Sequence, residues 1–355
     1  MTDSLQQVGE HWSKSEPTQE ADNFYMSPLM RPYIIESAYG KDLAAEHKHN
    51  SYFAEDIFIS KYLGARRVES ILSLCCGFGV VERHFASKLP GVKLCLGVDV
   101  AEGALETARE RAASAGSQSI SYQCADLNNF PWESEKYDLV IANGALHHLS
   151  NLEGAFEGIR RTLKPGGLLY ACEYVGPSYQ DHAARQLEII NAAAFLVPPE
   201  LRARKGLPLI PNKRLFRFLS RLYSIAARAE HPDWSRKKKL AAAMLKKILR
   251  RKPDTLDFGV VHISPKDELL RIDPSEGVRS AEIIPLVKHY FPNVEVRPFG
   301  GGILQYALDE NFYRNYDAKN PTHARSLEIL WRLERQFMET GEISIENAFI
   351  IARIS

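Results

Sequence analysis

The stretch from Val68 to Glu82, VESILSLCCGFGVVE, decides the fold that we predict for this chain. Its apolar run, residues 71–74, is typical of a strand that is buried on both faces of a sheet. Gly77 and Gly79 then interrupt the run, and apolar residues recur at helical spacing over the next ten positions. A strand, a glycine turn and a helix form half of a βαβ unit, in which backbone N–H groups and the helix N-terminus favour an anionic ligand.

An acidic residue follows the next predicted strand at the distance expected of a ribose-binding carboxylate. Strand 93–98 ends at Asp99, roughly twenty residues beyond Gly79. The alternative is that Asp99 caps the helix predicted from Ala101, and one carboxylate can serve both purposes. We therefore keep Asp99 as a candidate ligand-binding residue.

Length and composition indicate a globular protein with a core and a sizeable cap. The chain has 355 residues, of which 45% are hydrophobic and 25% charged. It contains no apolar run of roughly 18 residues, and its N-terminus does not resemble a signal peptide. The five cysteines lack C-x-x-C spacing, which favours free thiols over disulfides or zinc. We expect a cytoplasmic protein without a metal site.

Charge is concentrated in one segment. Residues 201–252 carry 17 Lys or Arg against two acidic residues, a local net charge of +15 in a chain whose overall charge is +1. Leu240, Met244 and Ile248 recur at helical spacing, which predicts an amphipathic helix. The plain interpretation is a solvated helix on a cap. The alternatives are an acidic carrier protein, an anionic lipid surface or RNA as a partner, although no RNA-binding module accompanies the segment.

Strands and helices alternate through the first half of the chain. The predicted strands are 69–75, 93–98, 119–124, 137–142 and 168–173, and the helices between them are 80–89, 101–115 and 151–163. This order predicts an α/β fold with a doubly wound, mostly parallel sheet. Ligands bind beyond the carboxyl ends of such strands, where these residues would collect: Gly77, Asp99, Asp126, Asn143 and Glu173.

The N-terminal part precedes this pattern. Residues 1–20 are polar, and we expect them to be loosely ordered. Residues 21–63 are rich in aromatic side chains. These side chains are expected to pack as a helical layer against the sheet, and the alternative is that some of them close over a ligand.

Five motifs in order resemble those of class I S-adenosylmethionine-dependent methyltransferases: ILSLCCGFG, GVDVAEGALETARERA, CADLNNFPW, YDLVIANGALHHL and LKPGGLLYACEYV. The resemblance covers roughly residues 60–176. It implies a seven-stranded Rossmann-like sheet with an antiparallel last strand, and S-adenosylmethionine as the cofactor.

The resemblance also assigns cofactor-binding roles by position. Gly77 and Gly79 would shape the loop under the methionine and ribose parts of the cofactor, and Asp99, followed by Val100, would bind the ribose hydroxyls. The remaining assignments are Asp126 with the backbone of Leu127 for the adenine amino group, and Asn143 with Gly144 for the methionine side near the methyl group.

Two residues depart from the family pattern. Ser73 stands where the family usually has an acidic residue, and Cys75 stands where it has a glycine. Ser73 can form a hydrogen bond but supplies no charge for the methionine ammonium group. Glu82, in the first turn of the following helix, could supply that charge or could simply compensate the helix dipole. All three residues belong to the predicted cofactor set.

The second half of the chain completes the sheet around a long insertion. We predict a helix at 179–196, strand six at 293–299, helices at 303–309 and 323–340, and a last strand at 347–353. The predicted domains are an N-terminal helical cap (1–66), the Rossmann-like core (67–197), a basic, mainly helical substrate cap (198–290) and the completion of the core (291–355).

Candidate residues for the chemistry lie after strands four and five. His147 or His148 could act as the general base if the acceptor must lose a proton. Glu173 and Tyr174 are candidates for holding the acceptor. Weaker candidates lie further along the chain: His182, Glu188, Asn191, Arg279 and Glu282.

The function predicted from these residues and the resemblance is methylation of a small or medium organic acceptor, at oxygen. The aromatic content of the N-terminal layer favours a partly apolar acceptor. An RNA or protein methyltransferase steered by residues 201–252 is the first alternative. A noncatalytic protein that binds S-adenosylmethionine or a partner is the second, because fold alone does not fix activity.

Overall fold

The computed structural model of the protein describes residues 3–13, 27–198, 201, 266–312, 315–317 and 319–354. These residues form two compact units. The first comprises Met1–Gln186, Ile263–Gly302 and Glu334–Ser355, and the second comprises Leu187–His262 and Ile303–Leu333, each within the described residues.

Seven strands form one sheet in the first unit, in the order β3-β2-β1-β4-β5-β7-β6. The strands are β1 (Ser70–Leu74), β2 (Leu94–Asp99), β3 (Ile120–Cys124), β4 (Tyr137–Asn143), β5 (Leu163–Tyr174), β6 (Asn293–Gly300) and β7 (Asn347–Arg353). The pairs among β1 to β5 are parallel, whereas β7 runs antiparallel to both β5 and β6. The predicted α/β class and seven-stranded sheet are confirmed, and the sheet is mixed because of β7.

The helices of the described residues are α1 (Asp3–Ser13), α2 (Arg31–Tyr39), α3 (Lys41–His47), α4 (Phe53–Phe58), α5 (Val80–Lys88), α6 (Glu102–Ser114), α7 (Leu152–Thr162), α8 (Ala184–Ala194), α9 (Lys266–Ile272), α10 (Ile283–Tyr290), α11 (Ile303–Phe312) and α12 (Pro321–Glu339). A π-helical turn, Ile59–Leu63, continues α4.

Apolar residues on alternate sides of β5 explain why both faces of the sheet are covered. Leu169 and Ala171 belong to the core cluster that α7 and α10 complete on one face. Tyr170 lies on the other face, where its ring is 4.7 Å from that of Phe58 in α4. Phe85 of α5 packs on the same two rings. Helices on both faces are the arrangement that the buried runs of the sequence predict.

The N-terminal aromatic residues in the described region pack mainly against the sheet. Phe53 and Phe58 are buried, and the ring of Tyr39 stacks on Phe349 of β7 at 5.5 Å. Residues 31–63 therefore form a helical layer, which is the first of the two interpretations. Phe24 and Tyr25 lie outside the described residues.

Two local expectations were wrong. Residues 3–13 form helix α1 instead of a loosely ordered segment, because Val8 is buried and the Ser13 hydroxyl accepts a hydrogen bond from Gly103 N of α6. The helix predicted from residue 179 begins only at Ala184, because Tyr179 has a left-handed backbone with φ +58°.

The two units do not follow the predicted domain boundaries. Residues 266–290 group with the first unit, because Ile283 and Val287 of α10 are buried in the core of the sheet. Residues 303–333 group with the second unit instead. Apart from Leu201, the basic segment 201–252 lies outside the described residues, so its role stays a prediction. Among the helices that the structure describes, none is both long and apolar enough to cross a membrane.

Candidate functional site

The glycine loop after β1 has an open side at the carboxyl edge of the sheet. Gly77 and Gly79 both have left-handed backbones, with φ of +51° and +69°. A Cβ atom added at Gly77 would meet nothing within 4 Å, whereas one at Gly79 would collide with the Tyr122 hydroxyl. The loop thus leaves room beside Gly77 for a ligand to approach the backbone.

Asp99 joins this loop to the loop after β2. Its Oδ2 accepts a hydrogen bond from Gly77 N at 2.9 Å, and its Oδ1 accepts one from Ala101 N at 2.8 Å. Burial raises the pKa of Asp99, and these backbone hydrogen bonds oppose the rise. Asp99 is not the N-cap of α6, because that helix begins at Glu102 with Ala101 as its cap residue.

Ser73, which stands where the family usually has an acidic residue, lies next to Glu82, which could supply the missing charge. Ser73 Oγ is 3.3 Å from Glu82 Oε2, and both side chains are buried. Burial raises the pKa of Glu82 to about 7. Its Oε1 atom is buried without a hydrogen bond of regular geometry among the described residues, while the Tyr122 hydroxyl and Arg83 lie beside the carboxylate and oppose the rise of its pKa. A buried carboxylate oxygen without a regular hydrogen bond is suited to a positively charged ligand group.

The other predicted cofactor residues line the ends of neighbouring strands. Asp126 holds the turn that follows β3, since its carboxylate accepts hydrogen bonds from Asn128 N and from two Asn side chains, and Leu127 is buried beside it. Asn143 and Gly144 end β4 and are exposed. Helix α1 covers Val100, because a Cβ added at Gly9 would lie 3.2 Å from Val100 O.

His147 is fixed by Glu173. Glu173 Oε1 accepts hydrogen bonds from the backbone N of Ala145 and of Leu146, each at 2.9 Å, and Oε2 lies 2.8 Å from His147 Nδ1. Burial lowers the pKa of His147, but the hydrogen bond and charge of Glu173 outweigh it, and the pKa is raised. Glu173 therefore positions His147, and both of its oxygens are used in doing so.

His148 is held by the loop of residues 273–278, which the sequence did not predict to lie near it. Its Nδ1 lies 3.0 Å from Ser275 Oγ, and Ser275 in turn donates to Asp273 Oδ1 at 2.6 Å. Trp12 of α1 donates from Nε1 to Asp273 Oδ2 at 2.9 Å, and its ring meets His148 edge to face. Burial and the neighbouring His147 lower the pKa of His148 to about 3, which favours a neutral ring.

Glu276, from the same loop, faces both histidines. Its Oε2 lies 4.0 Å from His147 Nε2 and 4.0 Å from His148 Nε2. Val278 N donates to His147 O, which ties the loop to the turn after β4. No periodicity in the sequence indicates this contact, because residues 273–278 form an irregular loop far along the chain.

The remaining candidates have structural partners. Tyr174 donates to Pro177 O, His182 bonds to Glu346, and Arg279 forms ion pairs with Glu153 and Glu282. Asn191 belongs to the second unit, where its Nδ2 donates to Leu187 O within α8. The structure thus brings together Gly77 with Asp99, Ser73 with Glu82, and His147 with Glu173.

Comparison with known proteins shows that part of this chain is similar to methyltransferases. Residues 71–167 match the family model of the methyltransferase domain. A 2-phytyl-1,4-naphtoquinone methyltransferase of Nostoc punctiforme is 28% identical over 139 residues, which are 39% of this chain and 60% of that protein. A demethylmenaquinone methyltransferase of Staphylococcus aureus is 26% identical over 34% of this chain and 49% of that protein.

Among solved structures, an S-adenosylmethionine-dependent methyltransferase from Mesorhizobium loti is 28% identical over 33% of this chain and 53% of that chain, with a TM-score of 0.28. The chain spans about half to three fifths of the length of the curated relatives that it matches. The methyltransferase resemblance predicted from the sequence is confirmed for residues 71–167, which match a methyltransferase domain.

Proposed function

We propose that the protein transfers a methyl group from S-adenosylmethionine to an oxygen atom of a small or medium, partly apolar organic acceptor. The names of both curated relatives describe quinone-type acceptors, which are organic ring compounds of this size class. These names support a partly apolar organic acceptor. We assign oxygen as the atom that receives the methyl group, because the histidines after β4 could accept the proton of an acceptor hydroxyl.

The residues of the carboxyl edge fit the cofactor. The Oε1 atom of Glu82, which is buried without a hydrogen bond of regular geometry among the described residues, suits the methionine ammonium group, in place of the acidic residue that Ser73 replaces. The open side of Gly77 permits close approach to the backbone, and Asp99 borders it. When bound, S-adenosylmethionine supplies a methyl group activated by the positive charge on its sulfur.

The observation that carries the proposal is a buried pair: His147, which follows the exposed end of β4, lies against Glu173 near the end of β5. A histidine whose Nδ1 is occupied by a carboxylate is held in one orientation, and its Nε2 is left to meet an acceptor. His148 is oriented in the same way by Ser275. Nε2 of His147, whose pKa Glu173 raises, is the better placed to receive the proton that an acceptor hydroxyl must lose, because the lowered pKa of His148 makes that ring a weak base.

Helix α1 would limit the access of water to this place. Trp12 lies against His148 and is bonded to Asp273, while Gly9 lies against Val100. Excluding water favours methyl transfer, because water would compete with the acceptor and weaken the electrostatic contacts inside the site.

The test is a transfer assay with methyl-tritiated S-adenosylmethionine. The full chain is incubated with reduced naphthoquinones, a lipid-soluble cell extract, RNA and protein, and each fraction is counted and analysed by mass spectrometry. We expect label in the organic fraction, and its loss in Asp99→Ala but not in His289→Ala, since His289 is exposed on α10. Label in RNA or protein would favour the first alternative function. Absence of label in every fraction would favour a noncatalytic protein.

A further inference from the structure

Three side chains after β4 and in the 273–278 loop point ligand atoms at one small space. One ring nitrogen of His147, one of His148 and a carboxylate oxygen of Glu276 all lie within 4.8 Å of one another, and the Nε2 atom of each histidine is 4.0 Å from Glu276 Oε2. These separations are too long for direct hydrogen bonds, which need roughly 2.7–3.2 Å. The three atoms therefore surround a space without bonding to each other.

The size of that space matches a metal ion. A point equidistant from three atoms, with two separations of 4.0 Å and a third of at most 4.8 Å, lies roughly 2.0–2.5 Å from each of them, close to the metal–nitrogen and metal–oxygen distances of about 2.0–2.2 Å. Small rotations of the side chains would close the difference.

The partners of the two histidines fix which ring nitrogen is free. Glu173 is a carboxylate acceptor, so a neutral His147 donates from Nδ1 and keeps its lone pair on Nε2. Ser275 uses its single hydroxyl proton on Asp273, so it must accept from Nδ1 of His148. Both Nε2 lone pairs consequently face Glu276.

The surroundings also match those of known metal ligands. A metal-binding histidine usually donates its other N–H to a carboxylate or a similar acceptor, which sets the ring orientation. Glu173 does this for His147, and Ser275, backed by Asp273, does it for His148. Glu173 is itself held by two backbone N–H groups, so the orientation of the His147 ring is set before any ion arrives.

We propose that His147, His148 and Glu276 bind one divalent transition-metal ion of the kind that accepts imidazole and carboxylate ligands, such as Mn²⁺, Fe²⁺ or Zn²⁺. Two histidines and one carboxylate on one side of an ion leave other coordination positions open. The sequence predicted no metal site, and this proposal differs from that prediction because the third ligand, Glu276, belongs to a loop far along the chain.

The role of the ion rests on the proposed function, whereas the binding site itself does not. An ion at this position would provide positive charge for an oxygen atom of the acceptor and could hold two neighbouring oxygens at once. With the ion bound, His147 would act as a ligand, and the ion would take over the role proposed for its Nε2 by favouring the ionised form of an acceptor hydroxyl.

The test measures binding of the metal alone. The full chain is treated with EDTA, dialysed, and titrated with MnCl₂ while free Mn²⁺ is followed by electron paramagnetic resonance; CoCl₂ is titrated in parallel and followed by visible absorption. We expect saturation at about one ion per chain. His148→Ala and Glu276→Gln should each weaken binding by ~10-fold or more. Glu173→Gln, which replaces the carboxylate beside His147 Nδ1 by an amide without removing a ligand, should weaken it by ~10–100-fold.

Matched controls are His289→Ala and Glu106→Gln, which alter exposed residues on α10 and α6 and should leave binding unchanged. Melting curves recorded in EDTA identify any variant that fails to fold, and Glu276→Gln keeps the side-chain size if His148→Ala proves unstable. No saturable binding of Mn²⁺ or Co²⁺, or equal binding in wild type and the folded ligand variants, would overturn the proposal. Methyl transfer that persists in EDTA would leave the proposed function intact while removing the role given to the ion.

Discussion

Replacing Glu82 by Gln should weaken the binding of S-adenosylhomocysteine and, at the same time, make the ligand-free protein more stable. Both effects follow from one property of Glu82: it is a fully buried carboxylate, and the neighbouring Tyr122 and Arg83 only partly offset the effect of burial, which raises its pKa. If its Oε1 binds the ammonium group of the ligand, a neutral amide loses the charge that makes the hydrogen bond strong.

The loss of affinity can be bounded. A hydrogen bond to a charged group contributes about 1.5–3 kcal/mol, which corresponds to a ~10–150-fold rise in Kd. The ligand 5′-methylthioadenosine lacks the amino-acid portion and hence the ammonium group, so its Kd should be the same for wild type and Glu82→Gln.

The gain in stability has a defined pH range. Burial raises the pKa of Glu82 from its ordinary value of 4.5 to about 7 in the folded protein, so the folded state binds more protons than the unfolded state between these values. Wild-type stability therefore falls as pH rises through this range, by about 3 kcal/mol in total. Gln cannot ionise, so Glu82→Gln should exceed wild type in stability by up to about 3 kcal/mol at pH 8 and by much less at pH 5.

Calorimetric titration at pH 8 with both ligands, and urea unfolding at pH 5 and pH 8, measure the two effects. Glu106→Gln, an exposed site on α6, is the control. Equal weakening of both ligands, or unchanged affinity for S-adenosylhomocysteine in the folded variant, would refute the assignment of Glu82 to the ammonium group.

Two further predictions concern stability. Cys75 has a left-handed backbone, with φ +44°, so Cys75→Gly should be more stable than Cys75→Ala by about 1 kcal/mol in urea unfolding; the reverse order would show that the backbone is not strained there. Asp138 is partly buried, which raises the pKa of its carboxyl, but hydrogen bonds from Glu69 N, from Lys164 and from Ser70 outweigh this and lower it. Asp138→Asn should therefore lower the unfolding free energy by about 1–3 kcal/mol at neutral pH. The difference should begin to shrink as pH falls below the ordinary carboxyl pKa of 3.8, and a difference that stays unchanged down to about pH 2 would contradict this.

The inner strands β1, β4 and β7 could be predicted closely because each is a buried apolar run next to a turn signal. The edge strands β3 and β6 are only partly buried, and β5 begins at Leu163 instead of residue 168. The last strand was predicted at 347–353 and is Asn347–Arg353, and strand six, predicted at 293–299, ends one residue later. Buried apolar runs have no other stable place than the interior of a sheet, so the pattern alone locates them. The same logic located Asp99 and Glu173 at the ends of their strands.

The contacts of the site could not be predicted in the same way. Glu173 was expected to hold the acceptor, yet its oxygens bind the backbone after β4 and His147. Ser275 and Glu276 belong to an irregular loop, and nothing periodic in the sequence connects them with His148. Long-range side-chain contacts of this kind depend on how loops return over the sheet, which local patterns do not encode.

Helix α1 shows a third limit. Its sequence is mostly polar, so it was expected to lack order, and its stability depends on contacts made far along the chain. Trp12 bonds to Asp273, and Ser13 accepts from Gly103 N. A short polar helix is marginal by itself and forms where tertiary contacts support it.

The measurement that tests the account most directly is a calorimetric titration of S-adenosylhomocysteine into wild type and Asp99→Ala. Asp99 borders the open side of the glycine loop and is the residue assigned to the ribose hydroxyls. We predict one binding event per wild-type chain, weakened in Asp99→Ala by about 1.5–3 kcal/mol, and unchanged in Asp42→Ala, an exposed residue of α3. No binding by wild type, or equal affinity in a folded Asp99→Ala variant, would contradict the assignment of this edge of the sheet as the cofactor site.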